Sequence, residues 1–158
     1  MTIVREVLMM IRNASDYQLE KRRLGGGEGE IVLHHRLTGE ETLGKCRICA
    51  ELYIEPHQSV GEHPHEIEAE IYYMLSGELV SIDEDKTEKP FRKGDIMFTG
   101  GGAKHSVRND SNETAVLLAI VINANQGLKQ PASSKQTTEM RAKTKESRPC
   151  KERTLEAD

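Results

Sequence analysis

The stretch His63-Pro64-His65-Glu66-Ile67-Glu68-Ala69-Glu70 carries the residue types that could do chemistry, and His105 is its counterpart downstream. Two histidines one residue apart project from one face of a strand, because strand side chains alternate with a period of two. Imidazole nitrogens suit Zn, Mn, Fe, Ni and Cu, and a carboxylate beside them shifts the preference toward the harder metals. A single histidine on an apolar strand is ordinarily a core residue with a satisfied ring nitrogen. Two of them with a carboxylate and a third histidine point instead to one metal site made of His63, His65, Glu70 and His105. Three neutral imidazoles and one carboxylate leave a divalent ion with net positive charge and open coordination positions. That is a site for Lewis-acid or oxygen chemistry, not a closed structural zinc. The donor set suits Mn, Fe, Ni or Zn and does not choose among them. Glu66 and Glu68 lie between the ligands and read as solvated, with Glu66 the alternative carboxylate if the loop winds differently.

Short strands must position these residues. Glu30 to Arg36, Cys46 to Glu55, Glu70 to Leu75, Glu78 to Ile82, Ile96 to Thr99, His105 to Asn109 and Thr114 to Ile122 each read as one. In the second, Ile48, Ala50, Leu52 and Ile54 share a face, and Arg47, Glu51 and Glu55 share the other. Ser76-Gly77 reads as a hairpin turn, Asp83 to Lys89 as an exposed connection, and Phe91 to Asp95 as a turn. Thr114 to Ile122 is apolar on both sides, which predicts a strand covered on both. Gly25-Gly26-Gly27 permits tight bends or a close backbone approach, and no Gly-Lys-Ser/Thr follows it to make a phosphate loop. Many short strands without a long helical period predict an all-β sandwich or barrel.

A chain of 158 residues has room for one such domain. We expect it over residues 30–125, after an N-terminal extension and first-strand region at 1–29. Residues 126–158 are rich in Lys, Glu, Ser, Thr and Gln without apolar period, and read as a disordered tail. The net charge of -4 offers no basic footprint for nucleic acid. No apolar run is long enough to span a membrane. Arg5 and Glu6 interrupt the first apolar residues, so no signal peptide is expected and the protein is predicted to be cytoplasmic. Cys46-x-x-Cys49 has the spacing of a redox pair, but residues three apart on a strand face opposite sides. His34 and His35 read as edge or surface residues.

The two clusters together resemble the cupins, small β-barrel proteins with a two-part metal motif. His63-x-His65, four residues, Glu70, six residues and Gly77 match the first part. Gly94, five residues, Gly100, one residue, Gly102, two residues, His105, three residues and Asn109 match the second. His57 stands where the first part opens with glycine, and Gly100 where the second has proline. Both are turn positions in the pattern, and Gly61 is the nearby residue that could restore flexibility. The resemblance implies a double-stranded β-helix, the cupin-type jelly-roll barrel.

The resemblance also implies a metal-dependent enzyme on a small carboxylate- or enediol-bearing molecule, by dioxygenase, decarboxylase, isomerase or lyase chemistry. The alternative is a metal or small-ligand binding module with the same ligands and no proton-transfer partner. A transcription regulator would need a helix-turn-helix segment, and none is legible. Tyr72 is the candidate catalytic side chain: it shares a strand face with Glu70, and some cupin lyases use a tyrosine near the metal. The competing reading is that Tyr72 only packs the barrel. A homodimer is expected, because Thr114 to Ile122 and the N-terminal apolar segment both need covering.

Overall fold

The computed structural model describes residues 9–123, and over them every regular element is a strand. In chain order these are β1 (Gln18–Arg22), β2 (Ile31–His35), β3 (Cys46–Ile54), β4 (Ser59–Pro64), β5 (Glu68–Ser76), β6 (Glu78–Asp83), β7 (Glu88–Arg92), β8 (Ile96–Gly100), β9 (Lys104–Arg108) and β10 (Ala115–Asn123). They form a six-stranded sheet in the order β1-β2-β3-β10-β5-β8 and a four-stranded sheet in the order β4-β9-β6-β7. All pairings are antiparallel. Two such sheets packed face to face, with the chain passing repeatedly between them, make the double-stranded β-helix. Residues 126–158 and Met1 to Leu8 lie outside the described residues, so the predicted tail is not observed.

The longest strands carry the core. On β10 the odd residues Ala115, Leu117, Ala119 and Val121 are buried, while Val116, Leu118, Ile120 and Ile122 on its outer face are only half-buried. Burial on β10 is therefore one-sided within the chain, not equal on both faces as the composition suggested. Ala50, Leu52 and Ile54 of β3 and Glu70, Tyr72 and Met74 of β5 point into the same interior, as their alternation predicts. Leu79, Phe91 and Val107 close it from the smaller sheet.

Three sequence expectations need correction. Ser76-Gly77 is not a hairpin: β5 and β6 belong to different sheets, so this is the corner where the chain changes layer. Gly77 makes the corner with a φ of 77°, and a Cβ there would come within 2.9 Å of the Ala115 Cα. The segment read as connection and turn contains β7, a strand paired with β6 along its whole length. Only Phe91 of β7 is buried, so charged residues and Pro90 hide the alternation, and proline is tolerated because β7 is an edge strand. Gly100 is the last residue of β8, paired with Ala69, and not part of the turn itself.

Candidate metal centre

Two imidazoles come from strands of the smaller sheet and the third from the residue that follows one of them. His63 on β4 sits directly across from His105 on β9, so their side chains share one face at the closest spacing a sheet offers. His65 lies one residue past the end of β4. Two backbone hydrogen bonds hold it there: its N–H donates to the Ala103 carbonyl at 3.2 Å, and its carbonyl accepts from the Gly102 N–H at 2.9 Å. The loop before His105 is thereby tied to His65, and the histidines are positioned together. Glu70 and Tyr72 come from β5 in the opposite sheet. All four predicted ligands converge, with one donor atom from each within 4.8 Å of every other.

The distances are those of a coordination sphere. The Glu70 Oε2 lies 2.9 Å from His105 Nε2, 3.0 Å from His65 Nε2 and 3.5 Å from His63 Nε2. His105 Nε2 is 3.1 Å from His65 Nε2 and 3.2 Å from His63 Nε2. Metal–ligand bonds of about 2.1 Å meeting at a right angle hold donors about 3.0 Å apart, and a tetrahedral angle about 3.4 Å. The Gly61 carbonyl lies 2.8 Å from His63 Nδ1 and accepts its proton, which leaves the Nε2 lone pair aimed at the cluster. The buried Nδ1 atoms of His65 and His105 have no partner among the described residues. Lone pairs of three imidazoles and a carboxylate crowd one buried point, and a single divalent cation satisfies all of them, so the residues fit such an ion.

Electrostatics agree with the geometry. Burial alone would raise the Glu70 carboxyl, but hydrogen bonding and attraction from His105, His63 and His65 hold it down to about 2. Burial lowers the His65 imidazole, and its two histidine neighbours lower it further against the pull of Glu70. For His63 burial also acts downward, but Glu70 and the Gly61 carbonyl prevail and leave it above the ordinary imidazole value. Tyr72 is buried with its ring centroid 5.4 Å from that of His105. Burial first, and the Glu70 carboxylate second, push its phenol well above the usual value.

A cavity of about 190 Å³ opens from His63, His65 and Glu70, and Arg22 and Arg47 join its walls. A larger cleft of about 670 Å³ beside β6, β7 and β8 touches the cluster only at His105. Alternation set Arg47 on the outer face and read Glu68 as solvated; Glu68 is instead half-buried at the start of β5, and Arg47 reaches the cavity through a register shift. Ile122 pairs with Cys46 and Val121 with Ile48, so Arg47 is an extra residue in a β-bulge. The bulge turns Arg47 to the cavity, where Glu68, the first residue of β5, accepts hydrogen bonds from its Nε at 2.5 Å and its Nη2 at 2.8 Å. The same bulge sets Cys46 and Cys49 opposite Ile122 and Ile120, two residues of one face, so the thiols do not take opposite sides; both are free.

The remaining candidates stay outside the cluster. His34 stacks on Tyr17 at 3.8 Å between centroids, and His35 Nε2 lies 2.7 Å from Glu20 Oε2. Glu66 is exposed. His57 is a turn residue, as expected, with a left-handed φ of 66° where the motif has glycine.

The fold and centre define the class: the chain belongs to the cupin family, whose cupin domain matches residues 50–121. It is similar to the oxalate-binding protein of Thermotoga maritima, with 38% identity over 72% of this chain and 93% of that one. A solved structure described as a predicted oxalate decarboxylase from Thermotoga maritima aligns with a TM-score of 0.68 and 37% identity, over 72% of this chain and 99% of the other. A polyketide cyclase from Streptomyces resistomycificus shares the fold at 21% identity and a TM-score of 0.59, over 78% of this chain and 90% of that one.

Proposed function

We propose that this protein is a divalent-metal-dependent cupin enzyme acting on a small carboxylate- or enediol-bearing metabolite. The observation that carries the reading is the convergence of three Nε2 atoms and one carboxylate oxygen, with Glu70 Oε2 and His105 Nε2 each 2.9–3.5 Å from the others, beside a cavity lined by His63, His65 and Glu70. His63, His65, Glu70 and His105 would hold the ion, with Mn, Fe, Ni and Zn all suited to the donors. A divalent cation bound there supplies Lewis acidity toward a substrate oxygen. Tyr72 stays protonated at neutral pH and is the proton donor facing the same interior. The cavity of about 190 Å³ is below the range of drug-sized pockets, which favours a substrate of a few heavy atoms.

A second reading has its own support. The Thermotoga relative is named for binding oxalate, and a binding module would use the same four ligands without turnover. One experiment separates the two. The purified chain is loaded with Mn, Fe, Ni or Zn, its metal content is measured, and it is then incubated with oxalate and a panel of small hydroxy-, keto- and dicarboxylates. Product formation supports the enzyme; saturable binding without product supports the module. Failure to retain any of these ions would end both.

The protein is further proposed to act as a homodimer, through the outer face of the larger sheet. Tyr73, Ile96 and Phe98 there are 41%, 69% and 69% exposed; Tyr73 pairs with Ile96 and half-buried Leu118, and Phe98 with Ile71, which pairs with half-buried Ile120.

A further inference from the structure

We propose that Arg47 makes the centre selective for small dicarboxylates over monocarboxylates. The inference rests on the metal-dependent reading above and names the group that would recognise the second carboxylate. A ligand with one carboxylate on the cation must place its other charge within a cavity of about 190 Å³. Leu33, Leu52, Val60 and Ala119 line much of that cavity, and an anion left against such walls without a partner is costly.

Arg47 is built to supply that partner. Its place in the bulge is what brings it to the cavity at all, since the regular period would turn it outward. Glu68 binds the Nε–Nη2 edge of the guanidinium and fixes the plane of the fork. The Nη1 group has no partner among the described residues and is free to donate to a carboxylate oxygen. Glu68 neutralises the net charge of the pair, so Arg47 adds directed donors more than a general field. Arg22, the other cation on the cavity wall, meets Glu20 only through its Nε, 3.1 Å away on the edge strand β1, so it lacks the two-point clamp that orients Arg47.

The test is calorimetric titration of the metal-loaded full chain with oxalate, malonate and acetate, comparing wild type with Arg47→Gln and Arg47→Lys, with metal content measured on every sample. Arg47→Gln is expected to keep its metal and to weaken oxalate and malonate binding by about 10–100-fold, the worth of a charge-assisted hydrogen bond. Acetate binding is expected to change by less than about 2-fold, and Arg47→Lys, which keeps the charge but loses the fork, to fall between. Equal weakening of all three anions, or of none, would overturn the proposal. So would a metal-loaded wild type that binds neither dianion, or loss of metal from both variants, which would make Arg47 a support of the centre. A wild type that retains no metal defeats the underlying reading instead.

Discussion

The Tyr72 phenol is held well above its ordinary pKa by burial and by Glu70, so at neutral pH it carries its proton beside the cluster. Tyr72→Phe is therefore expected to leave metal content full and to lower kcat by about 100-fold on any substrate found, within the usual worth of a positioned acid. Unchanged turnover at full metal content would reduce Tyr72 to packing. The ligand titrations give a second expectation. Glu70, held down to about 2, is ionised at any pH of interest and adds no slope between pH 6 and 8. His65 is shifted toward its neutral, binding form. His63 is shifted the other way and keeps its proton to higher pH, and that proton must leave before Nε2 can bind a cation. Apparent metal affinity should thus rise with pH and level off above the His63 value. Below that value it should fall, as protons compete with the cation for the imidazole nitrogens. Titrations with Zn or Mn between pH 6 and 8.5 would show this slope, and a flat profile would sink the assignment.

At the scale of elements, the converging residues are held by backbone contacts that side-chain patterns conceal. Gly61 on β4 donates its N–H to the Leu24 carbonyl at 3.0 Å, and its own carbonyl orients His63. A Cβ on Gly61 would lie 2.1 Å from the Gly25 carbonyl oxygen and 2.7 Å from the Gly27 nitrogen, both backbone atoms that cannot swing aside. Gly61 thus serves close packing, and not the flexibility that the motif's missing glycine suggested. Gly61→Ala should lower stability by about 1–3 kcal/mol in urea and weaken metal binding by displacing His63. A fully stable, metal-replete variant would show that the glycine loop yields. Close approach at Gly25-Gly26-Gly27 was readable from composition, as were the four residues that converge and seven strands, because alternation and fixed spacing are local properties. β7 was not, β1 was placed only somewhere within residues 1–29, and β4 only as an unbounded strand bearing His63 and His65. Short strands with few buried residues show no two-residue period, and β7 carries charge and proline at an edge. Arg47 escaped for a different reason: a bulge is set by the register between β3 and β10, which neither strand's sequence records alone.

Across the whole molecule, the cluster joins the two layers, since His63 and His105 come from the smaller sheet and Glu70 from the larger. An ion bound there would link sheet packing to metal occupancy and raise stability by mass action. What the described residues leave open is the opposite side of the larger sheet. Tyr73 pairs with Ile96 and Leu118, and Ile71 with Phe98 and Ile120, so these residues form two adjoining cross-strand rows ending on edge strand β8. Sheet edges are ordinarily protected by charge, yet the outward residues of β8 are Ile96 and Phe98, each 69% exposed. A second copy laid on this face by a two-fold axis would bury the rows of both chains at once. Sedimentation equilibrium at tens of micromolar is therefore expected to give twice the 17.7 kDa chain mass. Phe98→Glu should shift the protein to the monomer with its metal content intact, because Phe98 points away from the interior that buries its neighbour Thr99. A wild type that stays monomeric would refute the dimer and leave the chain's own N-terminal apolar segment as the cover for this face.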